Sequence, residues 1–164
     1  MVEPFDWGWQ WNGIANVQTG FPITPVIGFN NSGTGDAGLQ DIPNWNPDFK
    51  GPAILGTVER WFDPRAFKMP TAGTFGNVGR STLRGPSLFN VDTSFFKRIP
   101  IREGVSLQFR AEAFNVLNRA NFATPNPVVF QGNSANYSFS ESAAEITGTA
   151  TTSRQIQFAL KLLF

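Results

Sequence analysis

The chain has no cysteine and no histidine. Without cysteine there is no disulfide frame and no thiolate nucleophile. Without histidine the usual general base and the commonest metal ligand are missing, and zinc sites built from these two residue types are excluded. A charge of one sign is also lacking: 13 basic and 12 acidic residues leave +1. That offers no basic field for nucleic acid and no acidic tail. No apolar run reaches the length of a transmembrane helix. The N-terminal stretch MVEPFDWGWQW is acidic and lacks a basic-then-apolar export signal. These absences lower the prospect of catalysis, and the chain reads as a non-enzyme with no cofactor.

What is present points to strands. There are 17 Phe and five Trp against one Tyr, and 16 Gly with 12 Pro suggest many turns and little helix. Four segments alternate with a period of two. In residues 7–21, Trp7, Trp9, Trp11, Val17 and Phe21 share one face, and Gln10, Asn12, Asn16 and Gln18 the other. In 89–99, Phe89, Val91, Phe95 and Ile99 oppose Asn90, Asp92, Ser94 and Arg98. In 105–113, Val105, Leu107 and Phe109 oppose Ser106, Gln108, Arg110 and Glu112. In 154–164, Ile156, Phe158, Leu160, Leu162 and Phe164 form a wholly apolar row. The first strand is expected over about 7–21, the second over 89–99, the third over 105–117 and the fourth over 154–164.

Alternation alone fits a soluble β-sandwich with its apolar face inside, either an adhesion or a carbohydrate-binding module. Three features favour a membrane barrel. The polar faces hold mostly Gln, Asn and Ser, which suits a water-filled or plugged lumen. Trp7 and Trp9 begin the first strand and Phe21 ends it, as an aromatic girdle would. About eleven residues is what a tilted strand needs to cross a bilayer. The expected fold is therefore all-β: four sequential antiparallel strands forming the C-terminal part of a transmembrane β-barrel. A tight turn, PIREG, joins strands two and three, while two long extracellular loops run over 22–88 and 118–153. On the lumen face, Asp92 is expected to oppose Arg110 as an ion pair, because the slip that opposes it to Glu112 pairs like charges.

Several stretches together resemble TonB-dependent outer-membrane receptors, in particular the Oar-like group with a carboxypeptidase-regulatory-like domain. They are GWQWNGIANVQTGFPITP, WFDPRAF, GTFGNVGRSTLRGP, NVDTSFFKRIPI, LQFRAEAFNVLNRANF and TSRQIQFALKLLF, in that order. The resemblance covers nearly the whole chain. It implies energised uptake of a bulky, unidentified ligand across a bacterial outer membrane, with lipid around the wall and no nucleic-acid partner. It also implies that Phe158, Leu160, Leu162 and Phe164 form a terminal signal read by the barrel-assembly machinery. Such receptors have about 22 strands. The chain thus looks like the C-terminal piece of a longer protein, whose missing N-terminal plug would contact TonB.

Other motifs carry less. GTFGNVGRS departs from a phosphate loop in its glycine spacing and in Arg80, and reads as a tight loop. Asp36, Asp41 and Asp48 fit no calcium-loop spacing and read as solvated carboxylates. ERWFDPRAF reads as a small hydrophobic core within its loop, although its aromatics also suit stacking on a sugar or siderophore.

Overall fold

The computed structural model describes residues 8–35 and 41–164. Among these residues eleven strands run in order: β1 Trp9–Gln18, β2 Pro22–Ile23, β3 Val26–Ile27, β4 Asn44–Trp45, β5 Phe67–Lys68, β6 Leu83–Arg84, β7 Leu88–Arg102, β8 Val105–Phe114, β9 Val128–Gly132, β10 Tyr137–Phe139 and β11 Gln155–Leu163. They separate into two compact units. One holds 1–18, 88–121 and 151–164; the other holds 19–87 and 122–150.

The first unit is a four-stranded sheet in the order β1-β7-β8-β11, antiparallel throughout. These are the four alternating segments, in sequential order as expected. Within the described residues the sheet is open at β1 and β11 and does not close. The third strand stops at Phe114 rather than near 117, because Asn115 adopts a left-handed φ of 49°.

The turn between β7 and β8 differs from expectation in a way that resets the register. β7 continues through Pro100 to Arg102, leaving Glu103 and Gly104 as the turn. Gly104 has φ +75°, which a glycine adopts without steric cost. Pro100 is tolerated inside the strand. The Arg98 N–H is donated to Gly8, so the N–H that Pro100 lacks, two residues on, would also point away from β8. With the turn at 103–104, Ser94 faces Glu112 and Phe96 faces Arg110. The expected Asp92–Arg110 pair is therefore not formed. Opposed charges contribute up to about 1 kcal/mol, too little to outweigh the residue types that a tight turn demands.

The two long loops make up most of the second unit. It has its own core, centred on Phe62, Phe67, Ile27, Val129, Phe130 and Leu83. Around it lie short ladders: β2 with β6, β4 with β5, and β10-β9-β3, in which β3 and β9 run parallel. A Cβ at Gly20 would collide with the Gly85 carbonyl, so the backbone packs closest where only glycine fits. Phe21 lies in this unit beside β2 and does not end β1.

The WFDPRAF stretch anchors the core as expected. Phe62 and Phe67 are buried and meet edge to face at 5.9 Å. Between them Asp63 caps a 3₁₀ turn, Pro64–Ala66, accepting from the Arg65 N–H at 3.0 Å and from its guanidinium at 2.7 Å. The hydrogen-bonded Arg65 guanidinium holds the Asp63 carboxyl below its ordinary range, against the opposing effect of burial. A depressed folded-state value stabilises above the unfolded value, about 3.9, and that contribution is lost as pH falls through the lower folded value. Asp63→Ala should lower the stability of this unit by roughly 1–3 kcal/mol at neutral pH. Asp63→Asn should flatten its acid dependence. Amide exchange over 61–67, corrected for intrinsic rates, checks both; unchanged acid dependence in Asp63→Asn would assign the loss to other groups.

Candidate functional site

The sheet presents two chemically distinct faces, and its register shows how they arise. Residues opposed across the ladders point to the same side. One row reads Trp11, Phe95, Ala111, Phe158; the next reads Ile99, Leu107, Leu162. Between them lies Trp9, Lys97, Phe109, Leu160, in which the Lys97 ammonium sits 4.8 Å above the Trp9 ring. The opposite side reads Asn12, Ser94, Glu112, Gln157, and then Arg98, Gln108, Lys161. Ile14, Leu88, Phe96, Phe114 and Leu163 are apolar exceptions on the polar side.

The apolar side is uncovered. Trp11 and Leu160 are each 67% exposed, and Phe158 is 70% exposed. Two of its polar groups are paired: the Trp11 indole N–H is donated to Thr93 Oγ1 at 2.7 Å, and the Thr93 hydroxyl to the Asn12 carbonyl at 3.1 Å. Phe109 and Phe158 stack at 6.2 Å. Such a face is costly in water and favourable in hydrocarbon, where an unpaired polar atom costs several kcal/mol.

On the polar side, Arg110 Nε lies 3.4 Å from Glu112 Oε1 and its guanidinium lies over the Phe96 ring at 4.7 Å. Gln157 Nε2 is donated to Glu112 Oε2. Asp92 is separate from them. Its carboxylate accepts from the Asn115 N–H and from Asn90 Nδ2, each at 2.8 Å, and so holds the chain where β8 ends. Asp92 is a strand-end anchor rather than half of an ion pair. Asn115 was not singled out from the sequence; it donates to the carbonyls of Arg119 and Thr152 from a buried position. Its signal was the FNVLN stretch directly after an alternating strand, where Asn favours a left-handed turn.

Of the expected girdle, Trp9 begins β1 at the turn end of the sheet, Phe21 lies outside the sheet, and Trp7 falls outside the described residues. Phe158, Leu160 and Leu162 share the apolar face, and Phe164 is almost wholly exposed. Asp41 is buried, not solvated: its carboxylate accepts from the Asn31 and Ser32 N–H groups and from the Ser32 hydroxyl. Asp48 is exposed, and Asp36 lies outside the described residues.

A family model described as an outer membrane beta barrel domain matches residues 6–157. No curated protein and no solved structure matches the chain.

Proposed function

The chain belongs to the outer membrane beta barrel domain family and is an outer-membrane protein, and from that premise we propose that it is the closing wall of a TonB-dependent receptor that takes up a bulky ligand. The observation that carries the reading is the uncovered apolar face, continuous across all four strands of one sheet. On this reading that face meets lipid and the Asn12–Ser94–Glu112–Gln157 side lines the lumen. An outward apolar band and a polar interior are what a transmembrane barrel requires. The ordered motifs shared with Oar-like receptors support the narrower assignment.

Two parts lie beyond these residues in the proposal. Further strands would pair with β1 and β11, because an open edge in lipid leaves backbone groups unpaired. A plug would couple the wall to TonB. Phe158, Leu160, Leu162 and Phe164 are proposed as the row that the assembly machinery reads, supported by their outward placement on or beside the edge strand. The test is site-specific photo-crosslinking in intact cells that express the longer protein. Crosslinks to TonB should form in energised cells and fall when the proton gradient is collapsed. A heat-modifiable barrel in the outer membrane with no TonB crosslink would overturn the TonB-dependent reading and leave a passive barrel.

A further inference from the structure

The second unit contains an aromatic cleft that none of the chemistry above uses. Its volume is about 500 Å³, and it is lined by Phe67, Phe130, Tyr137, Phe139, Asp48 and Lys68 among others. The volume lies within the range of small-ligand pockets, about 300–1,000 Å³. An antiparallel strand pair and a hairpin build it. From β4–β5 comes Phe67, stacked on Trp45 at 5.1 Å. From β9–β10 come Phe139, stacked on Phe130 at 5.1 Å, and Tyr137, edge-on to Phe130 at 5.8 Å.

Phe67 and Phe130 are rooted in the core, whereas Tyr137 and Phe139 are 47% and 44% exposed. The exposed rings therefore rest on buried ones, which fixes the platform before any ligand arrives. Asp48 and Lys68, both exposed, also line the cleft. Neither the Asp48 carboxylate nor the Lys68 ammonium has an ion-pair or hydrogen-bond partner among the described residues. The Asp48 backbone is held by its N–H bond to Asn46 Oδ1 at 3.2 Å.

We infer that this cleft binds a neutral pyranose ring of a glycan. Aromatic platforms offer apolar faces to the C–H side of such a ring. A carboxylate only accepts hydrogen bonds and an ammonium only donates them, so the pair matches hydroxyl groups, which do both. One charge of each sign leaves no net field to draw an anionic chelate. This deepens the receptor reading by naming its ligand class, and it rests on that reading only for the cleft's exposure at the cell surface.

The test uses the protein extracted from outer membranes in detergent, titrated calorimetrically with cellohexaose, laminarihexaose and maltohexaose, and with hexagalacturonate as the anionic comparison. At least one neutral oligosaccharide should bind with Kd below roughly 1 mM. Tyr137→Ala and Phe139→Ala should each weaken it roughly tenfold or more. Asp48→Asn and Lys68→Met alter exposed polar groups with no partner to lose. They carry the test if an aromatic variant loses its heat-modifiable fold, and each should weaken binding severalfold. The inference is overturned if no neutral probe binds, if hexagalacturonate binds more tightly, or if binding survives in correctly folded variants. Binding in detergent needs no energised membrane, so failure here and failure of TonB coupling are read separately.

Discussion

Leu160→Arg should destabilise the inserted barrel by about 2–4 kcal/mol, the cost of an arginine near the bilayer midplane on a lipid-facing strand. Leu160 lies towards the middle of β11, opposite Phe109, in a row that is exposed and apolar but for Lys97. Lys97 shows what such a row tolerates: a cation whose ammonium sits 4.8 Å above a Trp ring. An arginine at 160, on β11, would stand three strands away from that ring. The matched control is Gln157→Arg on the same strand. It faces Glu112, so the new charge gains an acidic partner. Urea titration of the protein folded into phospholipid vesicles should show a large loss for Leu160→Arg and little change for Gln157→Arg. Equal tolerance would mean that the apolar face does not meet hydrocarbon.

Phe62→Ala should cost the second unit about 3–5 kcal/mol, the usual range for removing a fully buried aromatic ring. Phe62 has no exposed surface and packs edge-on against Phe67 in the centre of the core. Its strand bridge to Ile54, and the Trp61 N–H bond to Ala144, tie both chain segments of the unit to this point. The comparison is Phe75→Ala, which removes an exposed ring and should stay within about 0.5 kcal/mol. Segment-resolved hydrogen exchange in detergent should show 61–67 and 128–130 losing protection in Phe62→Ala, while β7 and β8 keep theirs. Loss of protection across all four sheet strands would show that the two units do not have separate stability.

The four sheet strands were legible because each carries enough residues for a period of two to emerge. Their parity also assigned the faces, since antiparallel pairing without a face-switching slip preserves it. The register was not legible. It hangs on whether the turn uses five residues or two, and Gly104 decides that through one backbone angle. The attraction between Asp92 and Arg110 is weak beside that constraint. The second unit was hidden for a different reason. Its ladders are mostly two residues long, and Ile23 and Leu83 stand singly, without an apolar neighbour in the chain. Isolated apolar residues leave no periodic trace, so the connections looked structureless. WFDPRAF was the exception, because four apolar residues flank an Asp-Pro cap signal within seven positions. Asp41 was misread because its burial depends on backbone N–H groups from Asn31 and Ser32, donors that composition does not reveal.

The parallel pairing of β3 with β9 sets a timetable for biogenesis. Ile27 and Phe130 are partners across the ladder, yet β7 and β8 lie between them in the chain. The first long connection therefore cannot complete its sheet until the second has also been delivered. Until then Ile27, Phe62 and Phe67 wait without their partner strand, and closing so large a chain loop is intrinsically slow. That interval is when the protein is most open to proteases and to non-productive association. Mutations that delay delivery of β9 should thus lower yield without altering the finished protein.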